Sequence, residues 1–317
     1  MDTTILEINN LTKQYRTRKD QPAIKGLNLK VGKGSLYGLI GPDGAGKSTT
    51  LRILATVMEP TSGEVRINGF DVEKDPEKIR PHIGYMPQMF SLYPDLTVHE
   101  NLNFFANINQ VEKNEVKERI QKMMSFTNLT NFSDRRARNL SGGMKKKLVL
   151  ACSLIHSPKI LILDEPSTGV DPVSRRELWH MLSEVVAQGV TILVSTPYMD
   201  EAERCHEVAI LYEGNVIAQG QPAELKSELP FRIIEVKAKP RNATRKIVGN
   251  QKDILDWRPV GDRFRIAVNN GNSPIVLKSL EKELTSKKAE IRLIREVKPL
   301  MEDVFTYRVS ALRTHNE

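Results

Sequence analysis

Eight consecutive residues have the types and the spacing of a loop that binds phosphate. They are Gly41, Pro42, Asp43, Gly44, Ala45, Gly46, Lys47 and Ser48. They follow the pattern G-x-x-x-x-G-K-[ST], with an apolar strand-like run before them and a helical stretch after them. Glycines let backbone N–H groups curl around an anion, which the N-terminus of the following helix also attracts. The pattern predicts that Lys47 contacts the β- and γ-phosphates of a nucleotide, that Ser48 helps to hold Mg²⁺, and that Thr49 contacts the α-phosphate.

Two acidic residues directly follow a second apolar run. Ile160–Leu163 predicts a strand that is buried on both faces, and Asp164 and Glu165 come after it. Because ligands bind at the carboxyl ends of parallel strands, these two carboxylates are expected beside the phosphate loop. We therefore predict that Asp164 holds Mg²⁺, partly through water, and that Glu165 polarises the attacking water.

A third segment has the composition of an anion-binding helix start. Residues 139–144 are Asn-Leu-Ser-Gly-Gly-Met, in which Ser141 is expected to cap a helix that begins with Gly142 and Gly143. The segment resembles the LSGG signature of ABC ATPases. The resemblance implies that Ser141, Gly142 and Gly143 bind the γ-phosphate held by an opposing subunit, so that two chains enclose two ATP molecules.

Other motifs of the same family follow in order. Gln88 matches the Q-loop glutamine, which in that family senses Mg²⁺ and touches the transmembrane partner. Tyr15 lies where an aromatic residue stacks on adenine, with simple packing as the alternative role. Thr168–Asp171 matches the D-loop, which crosses the dimer interface. The resemblance spans residues from about 5 to 225. It implies a P-loop ABC ATPase domain with a parallel sheet core, an antiparallel β subdomain and a helical signature subdomain.

Finer features resemble the ABC-2-type exporters, whose members export drugs, antibiotics, lipids or glycans. These features are residues 93–102, 169–172 and 198–203, together with Leu300–Phe305, which is similar to the C-terminal extension of that class. The resemblance implies an ATPase for multidrug or other efflux that works with a separate integral membrane permease. It also implies a second ABC ATPase subunit, identical or different, and a peripheral position on the cytoplasmic face of the cell membrane.

One position departs from the family pattern. Pro197 stands where the family has a histidine that donates a hydrogen bond to the γ-phosphate, and proline has neither a side-chain donor nor a backbone N–H. In one interpretation Glu165 and Mg²⁺ suffice, and hydrolysis is slow. In the other, the chain's own site is weakened while its signature completes a competent site on a different ATPase chain. The second interpretation predicts an asymmetric heterodimer.

The elements that would position these residues predict an α/β fold. Predicted strands are 35–40, 160–163, 191–195 and 208–212, and predicted helices follow Lys47 or cover 112–127, 144–156 and 173–188. The pattern changes near Leu229 and Pro230, which predicts an ATPase domain at 1–229 and a small α+β C-terminal domain at 230–317. The latter has the order βαββαβ, and Ser273 before Pro274 is expected to cap its second helix.

Composition narrows the function classes. The chain has 317 residues, of which 39% are hydrophobic, and a net charge of +8 (47 basic minus 39 acidic). Its basic residues are dispersed, so no nucleic-acid partner is expected, and the cluster Lys145–Lys147 is interpreted as exposed charge near the nucleotide. Cys152 and Cys205 are expected to be free thiols. No run approaches the roughly 20 apolar residues that span a bilayer, and no signal peptide is expected.

Two other functions remain open at this stage. A soluble ABC ATPase acting on ribosomes or DNA usually carries two such domains or a long coiled-coil insertion, and the interval between Ser48 and Ser141 is too short for such an arm. A binding-only subunit that closes on ATP with little hydrolysis is compatible with Pro197, whereas Glu165 argues against it.

Overall fold

The chain is described here by a computed structural model that covers residues 4–16, 21–89 and 91–314. It forms two compact units, Met1–Pro222 and Ala223–Glu317. The domain boundary expected between residues 229 and 230 lies slightly further along the chain and stays a prediction. Within the described ranges, no helix combines the length and the apolar character needed to cross a membrane.

The first unit combines strands and helices along its whole length. Its strands are β1 (Thr4–Lys13), β2 (Ile24–Gly32), β3 (Leu36–Ile40), β4 (Ser62–Ile67), β5 (Phe70–Asp71), β6 (Ile83–Met86), β7 (Ile160–Asp164), β8 (Thr191–Thr196), β9 (Glu207–Tyr212) and β10 (Asn215–Gly220). Its helices are α1 (Lys47–Leu54), α2 (Pro76–Ile79), α3 (Val98–Ile108), α4 (Lys113–Phe126), α5 (Gly142–Leu154), α6 (Pro172–Ala187) and α7 (Met199–Ala202).

A mostly parallel sheet forms the centre of this unit. Its strands are arranged in the order β10-β9-β3-β8-β7-β6, and all neighbours are parallel except β10 and β9. Every residue of β3, β7 and β8 is buried, which explains why their sequences are largely apolar and do not alternate with polar residues. The predicted α/β fold class is confirmed.

An antiparallel sheet packs against this central sheet. Its order is β2-β1-β4-β5, and its buried residues share one core cluster with α1 and with the central strands. Leu6 and Ile8 of β1, Leu51 of α1 and Ile162 of β7 belong to that cluster. Helix α1, which carries the phosphate loop at its start, is therefore fixed by the cores of both sheets.

A separate helical cluster is built from α3, α4 and α5. Val98, Leu102, Ile120 and Leu148 are among its buried residues. Helix α3 begins with a capping box, in which the Thr97 hydroxyl accepts from the Glu100 N–H and Glu100 accepts from the Thr97 N–H. Helix α5 starts at the signature segment, so this cluster determines how that segment is presented.

The second unit has the predicted βαββαβ order. Helix α8 (Pro222–Ser227) is followed by β11 (Phe231–Lys239), α9 (Arg241–Gly249), β12 (Ile254–Val260), β13 (Arg263–Asn269), α10 (Ser273–Ser286), β14 (Glu290–Val297) and α11 (Met301–Thr314). The antiparallel sheet has the order β12-β13-β11-β14. Ile234 and Ile266 on one face pack with Leu280 of α10 and Val248 of α9.

One capping prediction in this unit is wrong. Ser273 is the first residue of α10 and not its cap, which is Asn272, and no side chain caps this helix. The Ser273 hydroxyl instead donates to Glu296 Oε2 on β14 at 2.6 Å. The serine–proline pair marked the helix start within one residue, but the neighbouring strand offers a carboxylate acceptor that attracts the hydroxyl.

The other face of this sheet carries a buried ionic cluster. Arg265, which is 6% exposed, pairs with Glu235 Oε1 at 2.8 Å and with Asp303 Oδ2 of α11 at 3.0 Å. Arg258 donates to the second oxygen of Asp303 at 2.8 Å. Asp303 therefore compensates two guanidinium groups and fastens α11 to the sheet.

We predict that Asp303→Ala lowers the free energy of unfolding of this unit by about 3–5 kcal/mol, because it leaves Arg265 buried without one of its charge partners. Glu302→Ala is the control, since that carboxylate is half-exposed beside Arg258 and should change stability by less than about 1 kcal/mol. Urea denaturation followed by the fluorescence of Trp257, in a common Trp179→Phe background, measures both changes. Equal effects would contradict the assigned role of Asp303.

Candidate nucleotide-binding site

The phosphate loop leaves the carboxyl end of β3 and enters α1. A Cβ atom on Gly41 would lie 2.2 Å from the Leu211 carbonyl oxygen, so only glycine fits where the loop passes β9. Gly46 precedes the helix with φ +105°, in the left-handed region, and a Cβ there would lie 2.5 Å from the Ala23 carbonyl oxygen. The helix then begins at Lys47, and its first N–H groups point toward the loop.

Lys47 is buried inside the loop that it belongs to. Its Nζ donates to the carbonyl oxygens of Gly41 at 2.8 Å and Pro42 at 3.0 Å. It also lies 3.6 Å from Glu165 Oε1, and both side chains are at most 5% exposed. The ammonium group is thus held at the site by weak neutral acceptors and by one carboxylate, and an incoming phosphate can replace these contacts.

Asp164 is the last residue of β7 and lies beside this loop. The parallel strands β3 and β7 end at the same edge of the sheet, with only β8 between them. Its Oδ1 accepts from Ser48 Oγ at 2.9 Å and from Ser195 Oγ at 2.7 Å. Its Oδ2 is buried and, among the described residues, has no hydrogen-bond partner. A buried carboxylate oxygen without a donor fits a cation, because the alternative is an uncompensated desolvated acceptor.

These residues suit Mg²⁺ in particular. Among the described residues, no group of three or more His, Cys, Asp or Glu side chains could hold a metal by itself. Mg²⁺ usually takes only one or two protein oxygens and completes its shell with water and nucleotide phosphates. The free Asp164 oxygen, the Ser48 hydroxyl and the Gln88 amide supply a donor set of that kind.

Glu165 lies between the phosphate loop and the Q-loop. Its Oε2 accepts from Gln88 Nε2 at 3.0 Å and from Thr168 Oγ1 at 3.3 Å. Its backbone has φ +49°, which is uncommon for a non-glycine residue and costs about 1–3 kcal/mol. The Glu165 N–H donates to Ser195 Oγ at 3.0 Å, which helps to hold this turn.

A cavity of about 560 Å³ opens in front of these groups. Gly44, Lys47, Ser48, Gln88 and Glu165 line one side, and this volume is in the ordinary range for small-ligand sites. The remaining lining residues are Tyr15, Gln21, Pro22, Ala23, Lys25, Asp43, Gly46, Thr49, Glu213 and Gly214. Residues of the predicted loop and Glu165 therefore line one space, and Asp164 is bonded to Ser48 directly behind it.

Tyr15 is half-buried at the rim of the cavity. Its hydroxyl lies 3.1 Å from Thr49 Oγ1 and 3.5 Å from Met58 Sδ. Its ring lines the cavity, so it is available for a planar base, and its stacking role stays a prediction.

The signature residues lie apart from this cavity within one chain. Ser141 caps α5 by accepting from the Met144 N–H at 3.2 Å, and Ser141 and Gly142 are exposed. Gly143 is buried, and a Cβ there would lie 2.4 Å from Ser174 Oγ at the start of α6. The helix N-terminus is thus open toward solvent and is not part of its own chain's lining.

The interpretation of Lys145–Lys147 as exposed charge is wrong, because Lys146 is buried, Lys145 is only partly exposed and the Lys147 side chain is 12% exposed. Lys146 is only 5% exposed, and its Nζ donates to the carbonyl oxygens of Gln88 and Glu165, each at 3.4 Å. Burial lowers the pKa of Lys146, while the nearby charges of Glu165 and Asp164 oppose this shift. Lys147 pairs with Glu177 of α6 at 2.7 Å.

Pro197 follows β8 directly and supplies no donor, as the sequence implies. The residues around it are nevertheless tightly bonded. Thr196 donates to the fully buried Glu201, and the Tyr198 N–H donates back to the Thr196 hydroxyl at 3.1 Å. Glu201 also accepts from Arg175 Nε at 2.7 Å. The segment that carries the histidine in other family members is therefore a turn held by hydrogen bonds that do not involve residue 197.

Two contributors to the site were missed by the sequence analysis. Ser195 bonds to both Asp164 and Glu165, and the available signal was a polar residue at the carboxyl end of an apolar strand. Lys146 was missed although successive helical residues are rotated by about 100°, so three adjacent lysines cannot share one exposed face.

Comparisons with known proteins agree with this geometry. A family model described as ABC transporter matches residues 24–168. Nod factor export ATP-binding protein I of Cupriavidus metallidurans is 39% identical over 236 residues, which cover 74% of this chain and 77% of that protein. The chain belongs to the ABC transporter ATP-binding family. The probable multidrug ABC transporter ATP-binding protein YbhF of Escherichia coli is 43% identical over 248 residues, or 78% of this chain. This chain spans only 43% of that relative's length.

Solved ABC structures have the same fold. An ATP-binding cassette, solved as a dimer in a post-hydrolysis state with ADP and Pi, aligns with a TM-score of 0.64 and 28% identity. The alignment covers 68% of this chain and 98% of that one. The cassette cbiO1 from Clostridium perfringens, part of the ABC transporter complex cbiONQ, aligns with a TM-score of 0.65 and 27% identity over 78% of this chain and 96% of its own.

We predict that Gly41→Ala weakens binding of a fluorescent ATP analogue at least about tenfold, because the new methyl group collides with the Leu211 carbonyl and displaces the ABC phosphate loop. Gly189→Ala is the control. It adds a methyl group at a left-handed residue with open space around it, so it should reduce stability by about 1–2 kcal/mol without weakening binding. Unchanged affinity in Gly41→Ala would show that the loop tolerates the shift.

Proposed function

We propose that this chain is the ATP-hydrolysing subunit of an exporter and works with a separate membrane permease. The observation that carries the proposal is the convergence of Lys47, Ser48, Asp164 and Glu165 on one buried edge of the sheet, in front of the cavity. In this proposal the loop N–H groups and Lys47 bind the phosphates of ATP. Tyr15 receives the adenine, and Thr49 contacts the α-phosphate.

Ser48, Asp164 and Gln88 are the proposed ligands of Mg²⁺. When bound, Mg²⁺ neutralises phosphate charge and orients the γ-phosphoryl group. Asp164 is prepared for this role because one of its oxygens is held by Ser48 and Ser195 while the other has no described donor. Gln88 would connect Mg²⁺ binding to the position of Glu165, because its amide also contacts that carboxylate.

Glu165 is the proposed general base. Its carboxylate accepts a proton from a water molecule as that water attacks the γ-phosphorus, the bond to the β,γ-bridging oxygen breaks, and ADP and phosphate leave. Gln88 and Thr168 fix the orientation of the carboxylate, while Lys47 stabilises the charge that develops on the phosphate oxygens.

A second ABC ATPase subunit would complete the site. Ser141 and Gly142 are exposed at the start of α5, away from their own chain's cavity, so they can meet a γ-phosphate only across an interface. Because Pro197 removes a donor from the chain's own site while the signature is intact, we propose an asymmetric pair with a different ATPase chain. High turnover by this chain alone would instead favour a homodimer.

Export rests on the relatives. The names of two of them specify multidrug transport and Nod factor export, and they are similar to 78% and 74% of this chain, respectively. We therefore assign the chain to the cytoplasmic face of the cell membrane, where it would be peripheral and bound to an integral permease. The binding-only alternative is favoured by Pro197 alone, whereas the ordered, strained Glu165 favours hydrolysis.

We predict that Glu165→Gln lowers kcat for ATP at least about 100-fold and leaves ATP binding intact, because the amide preserves the shape but cannot take the proton. Glu184→Gln, an exposed carboxylate on α6, is the control and should hydrolyse ATP at the wild-type rate. Phosphate release and binding of a fluorescent ATP analogue measure the two properties. Equal turnover in the wild type and Glu165→Gln would refute the assignment of the base.

A second prediction concerns the missing histidine. Pro197→His should raise kcat at least about fivefold with little change in KM, because the imidazole restores a donor that acts mainly in the transition state. Pro197→Ala removes the ring without adding a donor and should leave kcat unchanged. A rate that rises equally in both variants would mean that backbone freedom, and not the absent hydrogen bond, limits this site.

A further inference from the structure

Lys146 is a buried charged residue that the proposed reaction does not use. It lies on α5, between Met144 and Leu148, and only 5% of its surface is exposed. Burying an ammonium group is unfavourable unless acceptors and opposite charges surround it. The lysine at this position therefore calls for a specific explanation.

The contacts of Lys146 join segments that are distant in sequence. Its Nζ donates to the carbonyl oxygen of Gln88, 58 positions away, and to that of Glu165, 19 positions away. Each distance is 3.4 Å. The same two residues meet through their side chains, because Gln88 Nε2 donates to Glu165 Oε2 at 3.0 Å. Lys146 therefore holds the main chain of both residues while their side chains face the nucleotide cavity.

Helix α5 also carries the signature at its first turn. Ser141 caps the helix, and Lys146 follows within the second turn of the same rigid element. A displacement of the helix N-terminus would move the ammonium group as well. The main-chain positions of Gln88 and Glu165 are thus mechanically connected to the segment that faces the opposing subunit.

We propose that Lys146 is a positioning residue that fixes the Gln88 loop and the Glu165 turn to helix α5, and so connects the chain's own ATP site to its signature. This inference deepens the proposed function and rests on it for the catalytic effect. The connection itself is a property of the fold. A signature bound to the partner's nucleotide then stabilises the arrangement in which Glu165 and Gln88 are correctly placed in its own chain.

The test compares Lys146→Met, Lys146→Arg and the matched control Lys147→Met. Methionine fills the space without donating, and arginine keeps the charge and the donors. The control removes the neighbouring ammonium group, which pairs with the half-exposed Glu177 and is 12% exposed, and leaves Lys146 in place. Lys146→Met should lower kcat about tenfold or more at nearly unchanged KM, because a misplaced base impairs the chemical step more than binding. Lys146→Arg should recover a substantial part of the loss, and Lys147→Met should resemble the wild type.

Hydrogen exchange separates this inference from the proposed function. In Lys146→Met, amide hydrogens in peptides covering residues 85–92 and 164–171 should exchange at least about fivefold faster. Peptides from the antiparallel sheet β2-β1-β4-β5 should exchange as in the wild type. Exchange in these peptides equal to that of Lys147→Met would overturn the inference. Loss of protection throughout the unit would also overturn it, because Lys146 would then be an ordinary core residue. If the wild type neither binds nor hydrolyses ATP, the proposed function fails, and the exchange result still decides the role of Lys146.

Discussion

The ATPase unit depends on a buried set of opposite charges at the carboxyl edge of its parallel sheet. Lys47 Nζ lies 3.6 Å from Glu165 Oε1, and both side chains are at most 5% exposed. Asp164 beside them is fully buried. Such a set is unfavourable in a small or poorly packed protein, because each desolvated ion costs several kcal/mol before its partners compensate. Fully buried strands on both sides and the shared core of two sheets provide the rigid surroundings in which the compensation works. Because these charged groups are poorly solvated, a phosphate bound by Lys47 and a cation bound by Asp164 would give them stronger partners than the surrounding protein groups do.

The local parts of this arrangement could be predicted from the sequence, whereas the connections between them could not. Buried strands such as Ile160–Asp164 are recognisable because every residue is apolar until the functional acid, and the phosphate loop is recognisable because its glycines are sterically required. Lys146 and Ser273 were assigned wrongly for a common reason. The acceptors that determine their positions, the carbonyls of Gln88 and Glu165 and the carboxylate of Glu296, come from distant segments. A pattern within a few residues contains no information about such partners.

The turn after β8 shows how an ABC site can lose one group and keep its shape. Glu201 is fully buried and binds Thr196, Arg175 and Trp179, so the backbone around Pro197 is determined by contacts that do not include residue 197. Arg175 also stacks on Tyr198, with its guanidinium carbon 4.6 Å from the ring centroid. Because Asp171 caps the helix that carries Arg175, the turn is also connected to the segment that matches the D-loop.

Two connections therefore lead to the ATP site from the segments that we propose to face a second subunit. One runs through α5 and Lys146 to Gln88 and Glu165, and the other runs through α6 and Arg175 to Glu201 and the end of β8. Only the second connection ends beside Pro197, which lacks the hydrogen-bond donor that the family histidine supplies. The first reaches the proposed base itself. In a chain with these two connections, binding at one ATP site of the pair can still influence the other site while the chain's own hydrolysis is slow. The reason is that positioning and proton transfer depend on different atoms. That combination is what the proposed asymmetric pair would require of this chain.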